Sequence, residues 1–153
     1  MILQGKKALR LVELMGLMAL PSLVACGSVS MPIGDVYTSS HCHITAEGVT
    51  QIPNQQALGD VIRKSTSAMV GTIGPVIPEV EFETSMAYVI SMGSKPTTGY
   101  AIQLMAKEAG YKNGVVDLPV KLIEPGQAMV AQLMTSPCKI ITLPKGDYQR
   151  VDM

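Results

Sequence analysis

The stretch Met86-Ala87-Tyr88-Val89-Ile90-Ser91-Met92 constrains the fold of this 153-residue chain more than any other, because it is apolar at nearly every position. A strand with one wet face alternates apolar and polar residues, whereas a strand covered on both faces reads as a short continuous apolar run. The stretch has the length of a strand and not of a core helix. It therefore predicts a central strand buried on both sides.

The segments around it supply partners. Asn54 offers an N-cap to a helical pattern with Leu58, Val61, Ile62 and Met69 on one face and Asp60, Arg63 and Lys64 on the other, which predicts a helix from about 55 to 67. Gly71, Gly74, Pro75 and Pro78 then interrupt regular structure. Tyr100, Ile102, Leu104 and Ala106 alternate with Ala101, Gln103, Met105 and Lys107, and Val116, Leu118, Val120 and Leu122 alternate in the same way. Both runs carry the period of two expected of a strand with one face inward. Tyr111-Lys112-Asn113-Gly114 between them is a hairpin signal, since Asn-Gly accepts positive φ at low cost. Pro119 has no N–H to donate and marks an edge or bulge. Met129 to Met134 and Cys138 to Leu143 are two further strand candidates. The expected fold class is α+β, one helix followed by an antiparallel meander of about five strands. Residues 54–153 would form this domain, and the Ser-, Thr- and Gly-rich residues 26–53 would be a tether.

Lys6, Lys7 and Arg10 precede an uncharged run from Leu14 to Ala25 that is broken by Gly16 and Pro21. That is the order of a secretory signal, and the run is too short to span a bilayer as a stable helix. Leu23-Val24-Ala25-Cys26 resembles the lipobox of bacterial lipoproteins, which implies cleavage before Cys26 and acylation of its thiol. Gly27 stands where the inner-membrane retention signal of that class places Asp, so the expectation is an outer-membrane lipoprotein facing the periplasm or the surface. Residues 1–25 carry three basic residues and one acidic; removing them leaves 128 residues with nine basic and eleven acidic. Such a length suits one domain, and the scattered cations exclude a concentrated nucleic-acid surface. Trp is absent and Phe82 is the only Phe, while Met occurs eleven times, so the core must be aliphatic and Met-rich.

Two further cysteines, Cys42 and Cys138, would lie in an oxidising compartment and are disulfide candidates, with unpaired thiols the open alternative. His41-Cys42-His43 is the only His-containing segment. Its two imidazoles fall on one side of an extended chain and the thiol on the other, and no further His completes a zinc set, so no metal or other cofactor is expected. Glu79, Glu81 and Glu83 alternate along a segment that reads as a solvated edge. Nucleophile-elbow, zincin, phosphate-loop and dinucleotide motifs are all missing, and the chain is expected not to be an enzyme.

Three pieces of the second half resemble a known family: Ser91-Met92-Gly93-Ser94-Lys95-Pro96-Thr97-Thr98-Gly99-Tyr100, Ile123-Glu124-Pro125-Gly126, and Gln132 to Pro144 with Thr135-Ser136-Pro137-Cys138 at its centre. Their order and spacing resemble the PrcB C-terminal-like domain, named after the lipoprotein accessory subunit of a bacterial surface protease complex. Thr98 stands where that family often has Gly, and Cys138 where it often has an aromatic residue. The resemblance implies a non-enzymatic, lipid-anchored envelope protein that works by association with another envelope protein, a subtilisin-like protease among the candidates. Contacts would come from Lys95, Pro96, Thr97, Thr98, Gly99 and Tyr100, from Pro125 and Gly126, and from Ser136 and Pro137. Lys95 to Tyr100 are equally accounted for as a hairpin connection, since Pro fixes φ and Gly permits a left-handed residue. Pro96-Thr97-Thr98-Gly99-Tyr100 also resembles one of the three inhibitory loops of the chagasin-like inhibitors of papain-type cysteine proteases. The other two loops have no counterpart, so this inhibitor reading is the alternative, beside a structural envelope lipoprotein without a protease partner.

Overall fold

The computed structural model describes residues 28–66, 74–126 and 129–153. Among them lie one helix and ten strands: β1 Val29–Pro32, β2 Gly34–Ser39, β3 Glu47–Ile52, α1 Gln55–Thr66, β4 Ser85–Met92, β5 Ala101–Leu104, β6 Glu108–Lys112, β7 Val115–Asp117, β8 Val120–Ile123, β9 Cys138–Pro144 and β10 Arg150–Asp152. They form a central sheet in the order β2-β9-β4-β3, a second sheet in the order β1-β6-β7-β10, and a β5-β8 ribbon. The α+β class therefore stands, but the arrangement is three sheets and not a five-stranded meander.

The apolar run sits at the heart of this arrangement. β4 pairs antiparallel with β9 on one side and β3 on the other. Its alternate residues serve two cores. Ala87 and Val89 face α1 with Leu58, Ile62, Ile52 and Ile140, whereas Tyr88, Ile90 and Met92 face the second sheet and the ribbon with Met31, Ile102, Val116, Leu118, Ile141 and Leu143. Leu58, Ile62, Ile90 and Ile140 are completely buried. Each such side chain contributes about 1.5–3 kcal/mol by leaving water, which is why the continuous run and its two covers form together.

The helix begins as its sequence predicts: Asn54 Oδ1 accepts a hydrogen bond from the Ala57 N–H at 2.9 Å, and Arg63 and Lys64 occupy the last turn, where the helix dipole favours cations. Gln55 clips the following segment to the helix, its amide donating to Pro78 O at 2.8 Å and accepting from Val80 N at 3.1 Å. Ile77, Val80 and Phe82 thereby pack on the helix-side core, and the stretch carrying Glu79, Glu81 and Glu83 is a coil and turn, not an extended edge.

Four local expectations are corrected. The segment read as a tether is built into the domain, because β1 pairs with β6, β2 with β9 and β3 with β4. Most of its Ser and Thr residues occupy exposed positions while Met31 and Ile52 point into the cores. The run from Val116 to Ile123 is two strands, since Pro119 breaks the ladder as its missing N–H requires; β8 pairs with β5, and β7 with β6 and β10. The hairpin at Asn113-Gly114 forms, with φ of 52° and 82°, but the strand before it is β6 and not the run beginning at Tyr100. Residues 129–134 form no strand.

Cys42 and Cys138 are joined as a disulfide, with Cα atoms 5.9 Å apart and a sequence separation of 96. The bond ties the connection between β2 and β3 to the first residue of β9, inside the helix-side core. A cross-link over so long a loop stabilises by about 2–4 kcal/mol, chiefly by restricting the unfolded chain. Replacing both cysteines by Ala is expected to lower Tm by about 10 °C or more, and a reductant should move the parent protein by the same amount while leaving the variant unmoved. Unfolding curves of the parent that coincide with and without reductant would contradict this assignment.

Candidate functional site

The three predicted loops meet at one end of the central sheet. Where β4 ends, Met92 N donates to Pro137 O at 3.0 Å, which sets the loop after β4 beside the entry to β9. Lys95 and Thr135 then exchange both backbone hydrogen bonds, each 2.8 Å long. Thr98 N donates to Ala131 O at 3.1 Å, and Ala131 N returns a bond to Thr98 Oγ1 at 3.1 Å. The Thr135 hydroxyl donates to Thr97 O at 2.9 Å. Residues 95–98 and 131–135 are thus laced together as a short irregular ladder. The apolar segment read as a strand from Met129 to Met134 is spent on this loop-to-loop pairing.

Gly99 brings in the third loop. Its φ of 94° lies in the left-handed region, and a Cβ there would stand 2.9 Å from Pro125 Cβ and 3.3 Å from Val130 Cγ1. Only glycine permits both the turn and this close approach, so the Pro-Thr-Thr-Gly-Tyr sequence and the Pro-Gly sequence are two halves of one packing contact. Gly126 beside it is exposed and touches nothing that a side chain would displace.

Tyr100 and Lys95 close the near side. The Lys95 ammonium lies 5.6 Å from the centre of the Tyr100 ring and 3.5 Å from Glu47 Oε2, so a cation–π contact and an ion pair hold the lysine against the start of β3. No motif announces Glu47; its position follows from the pairing of Glu47 with Met92 across β3 and β4.

Ser136 and Pro137 are buried, not presented. Ser136 N donates to Ser40 O at 2.9 Å, Ser136 O accepts from Cys42 N at 2.9 Å, and Ser136 Oγ accepts from His43 N at 2.8 Å. This residue therefore fastens the His41–His43 segment beside the disulfide. The two histidines belong to that seam, with the His41 ring 2.8 Å from Ser40 Oγ, and among the described residues no group of His, Cys, Asp and Glu has the arrangement of a metal site. Cys26 lies outside the described residues.

The exposed surface of the laced segments is apolar. Met129, Leu133 and Met134 are among the most exposed large apolar side chains of the described residues, at 102%, 52% and 69% of full accessibility. Lys95 to Gly99 pass beside them with Pro96 and Gly99 exposed. The result is a rigid backbone platform with flexible Met and Leu side chains standing on it. Its turn is pinned at Thr97 and Thr98.

Residues 86–144 match the family described as PrcB C-terminal, and the chain carries a PrcB C-terminal-like domain over that part. The matched span runs from β4 to β9 and contains all three loops. No curated protein and no solved structure matches the chain.

Replacing Gly99 by Ala is expected to cost about 1–3 kcal/mol, because the added carbon meets Pro125 and the residue prefers another φ. Hydrogen exchange should rise at the amides of Thr98, Ala131 and Thr135 before it rises in β4. Protection at those amides equal to that of the parent would refute the packing role given to Gly99.

Proposed function

We propose that this chain is a non-enzymatic accessory protein of the bacterial cell envelope that binds a protease or its assembly intermediate through the platform formed by residues 95–100, 125 and 129–135. One observation carries the reading: the family match coincides with the convergence of three loops into a rigid surface that exposes Met129, Leu133 and Met134. A patch of this kind on an otherwise packed domain is characteristic of association sites, and Met side chains adapt to an irregular partner surface. Lys95, Thr97, Thr98 and Gly99 would act by fixing the backbone beneath the patch, and Ser136 and Pro137 by anchoring its far end.

The location belongs to the same proposal. A signal ending at Cys26 would place acyl chains two residues before the described domain, in the outer membrane and beyond the reducing cytoplasm. The buried Cys42–Cys138 disulfide suits such a compartment. Since β1 begins at Val29, the lipid-bearing end would join the domain without a long tether, and the domain would ride close to the membrane surface.

The test is recovery of the partner from gently solubilised membranes with full-length chain, parent or carrying Leu133→Glu and Met134→Glu. Both residues are exposed, so the variant should fold normally. Burying a carboxylate in an apolar contact should reduce recovery of a co-purifying protease by about tenfold or more. Equal recovery with both forms, or recovery of no protease with either, would overturn the proposal.

A further inference from the structure

Among the described residues, each open sheet edge other than β3 is short or carries a device that blocks pairing with another strand. β1 ends in Pro32, and β2 has a bulge where the register shifts between Asp35 and Tyr37. β10 is three residues long and carries Arg150 and Asp152, β8 follows Pro119 and carries Lys121, and β5 is only four residues long. β3 is different. It is the outer strand of the central sheet, runs for six residues, and keeps an unbroken register with β4 from Glu47 to Ile52. It contains no proline or bulge, and its one charge is engaged by Lys95. An edge strand left this plain is a template for pairing with another strand.

We infer that β3 is the interface of a symmetric dimer, in which two copies of the chain pair antiparallel along β3 and join their central sheets into one. The sequence of β3 is complementary to itself in a single register. Val49 packs on the core facing the second sheet and Ile52 on the helix-side core, so Glu47, Val49 and Gln51 share one face and Gly48, Thr50 and Ile52 the other. A two-fold axis normal to the sheet preserves faces, so it must pass through a residue and not between two. Centred on Val49, it sets Val49 against the partner's Val49, Glu47 against the partner's Gln51, and Gly48 against the partner's Thr50. Centred on Thr50, it leaves Glu47 opposite the partner's Pro53, with nothing to receive the carboxylate.

The surroundings favour the first register. Val49 and Gln51 line a cleft of about 270 Å³ together with Tyr88, Tyr148 and Arg150. Glu47 of the second copy, lying opposite Gln51, would stand at this cleft, whose lining includes Arg150, itself paired with Asp152 of its own chain. Glu47 is half-exposed and bonds Lys95 through Oε2, which leaves Oε1 for the partner's amide. Gly48, with a φ of 132° and no atom within 4 Å of a hypothetical Cβ, leaves room for the partner's Thr50.

Sedimentation velocity of the full chain in mild detergent tests this directly. The parent should show a monomer–dimer equilibrium. Gln51→Glu places carboxylates against the partner's Glu47 on both sides of the axis and should weaken the dimer by about threefold to thirtyfold, while Gln51→Lys should strengthen it by a similar factor. Gln51 is exposed, so neither variant threatens folding. The register is tested by cysteine substitution: Val49→Cys should form a covalent dimer under mild oxidation, and Thr50→Cys should not. A parent that stays monomeric, a dimer constant moved by neither Gln51 variant, or rapid cross-linking of Thr50→Cys alone would overturn the inference.

Discussion

Burial of β4 on both faces is the constraint on which the rest of the structure depends. A continuous apolar strand is stable only between two covers, and this small chain provides them from opposite ends of its sequence: α1 from before the strand, the second sheet and ribbon from after it and from the N-terminal β1. The core holds no Trp and relies on Ile, Val, Leu and Met interlocking at two interfaces. Tyr88 and Tyr148 are drawn into the edge of the second interface, and burial, aided by a neighbouring tyrosine in each case, holds both phenols above their ordinary range.

The same strand delivers the candidate site. Because β4 and β9 are antiparallel neighbours, the end of one and the start of the other lie side by side, and everything attached there is brought to a single end of the sheet. Met92 to Pro137, Lys95 to Thr135 and Ser136 to the disulfide seam are successive consequences of that adjacency. The platform therefore inherits rigidity from the core, while its outward residues remain free to adapt. This division of labour, fixed backbone below and soft apolar side chains above, is what an association surface requires.

Much of this was legible in the sequence, and the failures have physical causes. The central strand, the capped helix, the Asn113-Gly114 turn and the last strand each carry a local signal that tertiary context reinforced. β1 to β3 were hidden because edge and half-exposed strands place Ser, Thr and Gly outward, the composition of a tether, with only Met31 and Ile52 deeply buried. β6 was hidden because its inward residues include a small Ala109 packed against a sheet that sequence does not show. The three loops were legible as motifs, but their meeting was not: that rests on Gly99 fitting against Pro125 and on β9 crossing over to lie beside β4. Ser136 illustrates the limit most sharply, since a motif residue expected at the surface is a buried fastener for the chain that precedes β3.

The central claim is that the platform, and not the rest of the surface, meets an envelope protease. Site-specific photocrosslinking in intact cells tests it most directly, with the reactive residue placed at Leu133 or Met134 and, as an apolar control away from the platform, at Val76, which is more open to solvent than either. The account predicts one discrete adduct with a protease from the two platform positions and none from Val76. Adducts that are the same from all three positions, or that contain no protease, would contradict it.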